Sequence, residues 1–217
     1  MVGQGVLREC LLDPDIEVVQ TVGRSATGVK HTKLRELVRP DLMRYAEIEA
    51  DLGGFDACFF CLGVSSFGMS EAQYERLTYG LTMAAAETLS RLNPDMTFVY
   101  VSGAGTDSSE KGRVMWARVK GKTENALLRL PFKAAYMFRP AGIQPMHGER
   151  SKTTAYRVAY RLAKPLLSLL RRIFPRYLVT TEEIGRAMIR VARSGAEKRI
   201  LESSDIGNCA RSPVFSR

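Results

Sequence analysis

The sequence predicts an α/β fold built on a doubly wound parallel sheet, and three observations carry that expectation. Strand-like and helix-like segments alternate along most of the 217 residues. One segment, Phe55 to Leu62, is a continuous apolar run, the pattern of a strand buried on both faces. The stretches that follow strands, such as Gly23-Arg24 and "SGAGTDSSEKG", are rich in small residues. In a doubly wound sheet these strand-to-helix loops lie at the carboxyl edge and carry the site.

Val2 to Leu12 is predicted as a helix: Val2, Val6, Leu7, Leu11 and Leu12 recur at helical spacing, and Asp13-Pro14 is a stop signal. Ile16 to Val22 is a strand rich in β-branched residues. Lys30 to Val38 reads as a short polar helix ended near Pro40, and Met43 to Ile48 as an edge-type strand. Gly53-Gly54 turn the chain into the apolar strand Phe55 to Leu62. Ser70 is an N-cap for a long helix, Glu71 to Leu92, closed at Asn93-Pro94. Thr97 to Val101 is a strand, Val114 to Leu130 a helix and Ala134 to Phe138 a strand; "RPAGIQPMHG" reads as loop. Helical stretches at Thr154–Phe174 and Thr181–Arg193 precede a last strand, Arg199 to Glu202. Residues 1–206 are thus expected to form a single domain with a basic helical insertion at about 150–180, and 207–217 a loose tail.

Hydrophobic content of 45% and charged content of 25% are those of a globular protein. No uncharged run reaches the roughly 18 residues of a membrane span, and the charges at Arg8 and Glu9 follow Met1 too closely for a signal peptide, so a cytoplasmic protein is expected. Cys58 and Cys61 are three apart on a strand and therefore face opposite ways, which leaves them unable to share a disulfide or a metal. His31 and His147 are far apart and unpartnered by any cysteine or acidic cluster, so a metal site is not expected either. The net charge of +9 is local: the segment 150–176 holds eight basic residues and no acidic one, and the remainder of the chain carries about +1.

The motifs "MVGQGVL", "TVGRS", "FFCLG", "YVSGAG", "WARVKGKTE" and "FRPAG", in this order and spacing, resemble the atypical short-chain dehydrogenases/reductases. The nearest branch is similar to the Tat-interacting-protein-like and nucleoside-diphosphate-sugar-epimerase-like proteins, and the resemblance runs to about Ile206. It implies a Rossmann-like sheet that binds NADP, with NAD as the other candidate. In the family a short strand and a G-x-x-G-x-x-G turn precede the first helix. Only the last glycine of that turn has a counterpart here, Gly3, and Gly3-Gln4-Gly5 is no substitute because the third position would fall on Arg8. About ten residues of the pattern are missing. A start placed downstream of the true one, or a shortened chain, is the expected explanation.

The resemblance assigns further residues. Arg24, with Ser25 beside it, stands where an acidic side chain would bind the ribose of NAD; an arginine there can pair with the 2′-phosphate of NADP. Asp51-Leu52 resembles the adenine-side pair, and Leu62-Gly63 closes a strand where glycine lets backbone approach the cofactor. Ser102 ends a strand at the position of the catalytic serine or its neighbour. The family's Tyr-x-x-x-Lys becomes Trp116-x-x-x-Lys120, so Lys120 can hold ribose hydroxyls, but the indole of Trp116 has no proton to give near neutral pH. Arg139-Pro140-Ala141-Gly142 resembles the loop at the nicotinamide end. Three functions stay open: an NADP-dependent oxidoreductase of unknown substrate using Ser102 or water as acid, a non-catalytic NADP-binding regulator, and a protein without cofactor whose basic helix drives association. On a helix the segment 150–176 has a basic and an apolar face, the pattern of a lid over a cleft or of a peripheral helix on anionic membrane. Nucleic acid is disfavoured because no second basic element or reading motif accompanies it. The sequence leaves the oligomeric state open.

Overall fold

A computed structural model describes residues 1–148 and 178–212. The basic stretch 150–176, read above as lid or membrane helix, lies outside the described residues.

Helix α1 (Val2–Leu12) has the expected bounds. Strands β1 (Val19–Gly23) and β2 (Leu34–Val38) pair in parallel over five residues, from Val19 opposite Leu34 to Gly23 opposite Val38. This corrects the polar helix expected at Lys30–Val38. Leu34 and Leu37 imitate a helical step, but β1 supplies a hydrogen-bonding partner that local spacing cannot reveal. The edge strand expected at Met43–Ile48 is instead a 3-10 helix, Ala46–Asp51, whose Ile48 is buried with Leu52 against the core. Its opening bond runs from the Ile48 amide to the Tyr45 carbonyl at 2.9 Å.

Strand β3 (Ala57–Phe60) leads to a helical rod: α2 (Glu71–Glu75), a π-helical turn (Arg76–Gly80) and α3 (Leu81–Leu92). Ser70 caps it reciprocally with Gln73. Strand β4 (Thr97–Val101), helix α4 (Met115–Arg129) and strand β5 (Ala134–Arg139) follow. Gly142–Gln144, expected as loop, is a short strand, β6, parallel to β7 (Leu178–Thr180). Helix α5 (Thr181–Ser194), strand β8 (Ile200–Glu202) and helix α6 (Ser203–Arg211) end the described chain. Residues 207–211 are therefore helical rather than loose tail, because Glu202 and Asp205 cap α6 reciprocally and Ile206 is fully buried.

The main sheet runs β3-β4-β5-β8, all parallel, with Val99 opposite Tyr136 and Phe138 opposite Leu201. Successive side chains on its central strands feed two cores. Phe98, Tyr100 and Met137 pack with Ala86, Leu89 and Leu127 of α3 and α4, whereas Val99, Tyr136 and Phe138 pack with Val6, Ile184 and Met188 of α1 and α5. Helices on both faces of a parallel sheet make the fold doubly wound, as the sequence predicts, and burying each large apolar side chain contributes about 1.5–3 kcal/mol.

Candidate functional site

Strands β4 and β5 end side by side, and their carboxyl ends carry most of the chemistry. The Ser102 amide donates to the Phe138 carbonyl at 2.9 Å, and the Ala104 amide to the Pro140 carbonyl at 3.1 Å, so the loops after the two strands are laced together. The Ala141 amide donates to Ser203 Oγ at 2.8 Å and fixes the far side of the Arg139-Pro140 turn.

Helix α4 lies across these loops. A Cβ added to Gly121 would sit 1.8 Å from the Asp107 carbonyl oxygen, so only glycine allows this approach. The Asp107 carboxylate accepts from Ser109 Oγ at 2.6 Å and from the Gly112 amide at 2.6 Å. These bonds hold its carboxyl below the ordinary aspartate range. From this clamped helix Trp116 lies over Gly105, with a ring carbon 3.5 Å from where a Cβ would be. Lys120, one turn further on, donates from Nζ to the Ser102 carbonyl. Gly103, at φ 149°, is in a backbone region that favours glycine, and a side chain there would begin 3.7 Å from Nζ.

Beneath Ser102 is a feature that sequence reasoning missed. Glu124 is fully buried and accepts from Ser102 Oγ and from Arg139 Nε, the latter at 3.0 and 3.2 Å to its two oxygens. Arg139 also donates to Ser108 Oγ at 2.6 Å and lies 3.6 Å from Glu202. Glu124 is four residues after Lys120, the spacing that places two side chains on one helix face; that was the available signal. Burial lowers the Lys120 pKa from the ordinary ammonium value, and the Glu124 charge opposes the shift.

The Ser102 hydroxyl is committed to Glu124 and, at 3.2 Å, to the Phe138 carbonyl, so donating to a substrate would break a bond to a buried carboxylate. Of the other phenols, Tyr79 lies under the Lys122 ammonium, which is 4.7 Å from its ring centre. Tyr100 is buried in the core under α3 and α4, which raises its pKa, and the Tyr136 hydroxyl accepts the Ala196 amide at 3.0 Å.

The other sequence-derived residues divide. Arg24 and Ser25 are exposed just past the carboxyl end of β1, and Leu62 and Gly63 just past that of β3. A Cβ added to Gly3, in the first turn of α1, would stand 3.3 Å from the Cys61 Cβ. These five share the carboxyl side with Ser102, Trp116, Lys120, Arg139 and Pro140. Asp51 does not. It ends the 3-10 helix that precedes β3, and its carbonyl accepts Gln20 Nε2 at 2.6 Å near the start of β1. Asp41 instead follows the carboxyl end of β2, a position hidden from sequence reasoning by the misread helix. Cys58 and Cys61 are free thiols pushed up to about 12 by burial. No metal-binding cluster and no helix long and apolar enough to cross a membrane is present among the described residues.

On this edge a Cβ at Gly63 would meet nothing within 4 Å, and Arg24 is exposed.

No protein-family model matches the chain. It is 31% identical over 137 residues to "Protein FMP52-2, mitochondrial" of Scheffersomyces stipitis, a match that takes in 62% of this chain and 57% of that relative. It is 23% identical over 201 residues to "Protein FMP52, mitochondrial" of Debaryomyces hansenii, across 88% and 83% of the two chains. These names overturn the cytoplasmic expectation: the curated relatives are mitochondrial proteins. Among solved structures the chain superposes on a UDP-N-acetylglucosamine 4-epimerase from Methanobrevibacter ruminantium, bound to UDP-N-acetylmuramic acid, with TM-score 0.67, 12% identity and coverage of 93% and 72%. It superposes on WbmF of Bordetella bronchiseptica, in complex with NAD+, with TM-score 0.64, 14% identity and coverage of 96% and 73%. The protein therefore has the Rossmann-like fold of short-chain dehydrogenases and epimerases.

Proposed function

We propose that the protein binds a nicotinamide dinucleotide along the carboxyl edge, NADP in preference to NAD, as a mitochondrial member of the atypical short-chain dehydrogenase/reductase branch. The observation that carries this reading is Lys120, held by α4 over the ends of β4 and β5 with its ammonium on the Ser102 carbonyl. The NADP preference rests on Arg24, and the fold likeness to a protein bound to NAD+ supports the cofactor class. In this reading Lys120 binds the nicotinamide ribose, Arg24 and Ser25 the adenosine phosphate, and Leu62-Gly63 give backbone access between them; Arg139 and Glu124 keep the Ser102 loop in place.

A bound nicotinamide would supply hydride chemistry, and a reductase must also deliver a proton. Trp116 cannot, and Ser102 is engaged with Glu124. The geometry therefore supports cofactor binding more strongly than turnover. A reductase reading is kept open by one observation: the Lys120 ammonium, whose pKa burial lowers, is a cation able to donate at that position. The anionic-membrane reading of 150–176 rests on sequence alone and is tested by flotation with phosphatidylserine vesicles.

Calorimetry with NADPH and NADH tests the proposal. NADPH should bind more tightly, and Arg24→Ala should erase the difference. A preference unchanged by that substitution removes Arg24 from the account.

A further inference from the structure

Strands β1 and β2 end side by side, and an arginine follows each. Arg24 comes directly after Gly23, the last residue of β1, and Arg39 directly after Val38, the last of β2. The two ends are joined, since the Arg39 amide donates at 2.8 Å to the Gly23 carbonyl, which belongs to the peptide leading into Arg24. Gly23 lies opposite Val38 in the parallel register, so the next residues on the two strands are neighbours. Val22 and Leu37, two residues earlier, pack against the same core, and strand alternation returns the arginines to that face. Two like charges set side by side are unfavourable unless an anion offsets them.

That need is only partly met within the chain. Arg39 Nη2 donates to the Glu47 carboxylate, whose other oxygen is 3.8 Å from Arg44. Glu47, however, is 54% exposed, and Arg39 Nε is shielded from water with no hydrogen-bond partner among the described residues. A buried donor left without an acceptor is costly, and a guanidinium fork engaged through one nitrogen has a further donor to give. A phosphate monoester answers both features. Its three acceptor oxygens and nearly two negative charges can take both guanidiniums at once, whereas a ribose hydroxyl brings two cations no charge at all. Other cations of the loop between the strands are placed differently. Lys33 bonds through Nζ to the Asp13 carbonyl at 2.7 Å, beside the start of β1, and Lys30 is exposed.

We propose that Arg39 is a further specificity-determining residue, sharing the 2′-phosphate of NADP with Arg24 and giving up Glu47 to water when the phosphate arrives. The inference rests on the dinucleotide reading above and adds to it a residue from the neighbouring strand. A phosphate held between two guanidiniums needs both, so Arg39 matters to NADPH and hardly to NADH.

Calorimetry on the whole chain tests this with NADPH and NADH, and with adenosine 2′,5′-bisphosphate and adenosine 5′-monophosphate as the adenine halves alone. NADPH and the bisphosphate should bind more tightly than their counterparts. Arg39→Ala should weaken those two roughly tenfold and change NADH and the monophosphate by less than about twofold. Arg39→Lys, which keeps the charge without the fork, should fall between. Glu47→Gln removes the competing carboxylate and should bind NADPH at least as tightly as the unsubstituted chain, and Lys30→Ala should leave the preference unchanged. The role of Arg39 is overturned, with the dinucleotide reading intact, by any of four results: a preference that survives Arg39→Ala, a loss shared equally by NADH, an equal loss from Lys30→Ala, or weaker NADPH binding in Glu47→Gln. An unsubstituted chain that binds neither dinucleotide, or both alike, overturns that reading and this inference with it.

Discussion

Glu124 is the residue on which the site's geometry turns. Its carboxylate is shielded from water and compensated by Arg139 and Ser102. Removing one partner of a buried ion pair leaves the other charge uncompensated, at a cost of about 3–5 kcal/mol. Glu124→Ala should therefore lower stability by about 3 kcal/mol in urea denaturation, and Glu124→Gln by less; a loss under about 1 kcal/mol would show that water reaches the pair. Lys120 acts in the opposite direction. Its folded-state pKa lies below that of the unfolded chain, so the unfolded state binds more protons and stability rises as pH climbs through the window ending near 10.5. Lys120→Met should abolish that rise and stabilise the cofactor-free protein near neutral pH, while weakening dinucleotide binding. The same variant with unchanged pH dependence would mean that the ammonium is solvated. Trp116→Tyr places a phenol four residues before Lys120 and should raise NADPH-dependent reduction across a panel of carbonyl compounds; equal or lower turnover would count against Lys120 and residue 116 forming a reductase pair.

At the scale of elements, α4 is positioned by the Gly121–Asp107 approach. Gly121→Ala forces the helix off the loop that carries Ser102, with an expected loss of about 1–3 kcal/mol and weaker cofactor binding; unaltered unfolding would show that the loop gives way freely. The elements most legible in the sequence were those with an unambiguous pattern of their own, an apolar helical stripe or a continuous apolar run. Val2–Leu12 and Thr97–Val101 have the bounds that their periodicity predicts. β2 was not legible, because its polar residues are exposed on an edge and its pairing depends on β1, some fifteen residues away. α6 was missed because its capping residue is Glu202, which sequence rules do not rank as an N-cap.

For the whole molecule, the order of strands and helices was enough to reach a doubly wound sheet, since that arrangement follows from burying both faces. The site was only partly legible. Resemblance located Ser102, Lys120 and Arg139 one by one, and the fold brings them together, but it set Asp51 on the opposite side, a separation visible only once the chain is folded. The buried carboxylate joining Ser102 to Arg139 had no signal beyond a helical step. The central claim is that a nicotinamide dinucleotide binds beside Lys120, and the chain carries its own reporter there, since Trp116 is its single tryptophan. Titration with NADPH should quench Trp116 fluorescence saturably, at lower concentration than NADH requires, and Lys120→Met should shift the curve to higher concentration. Quenching that never saturates, or that is identical in Lys120→Met, would contradict the account.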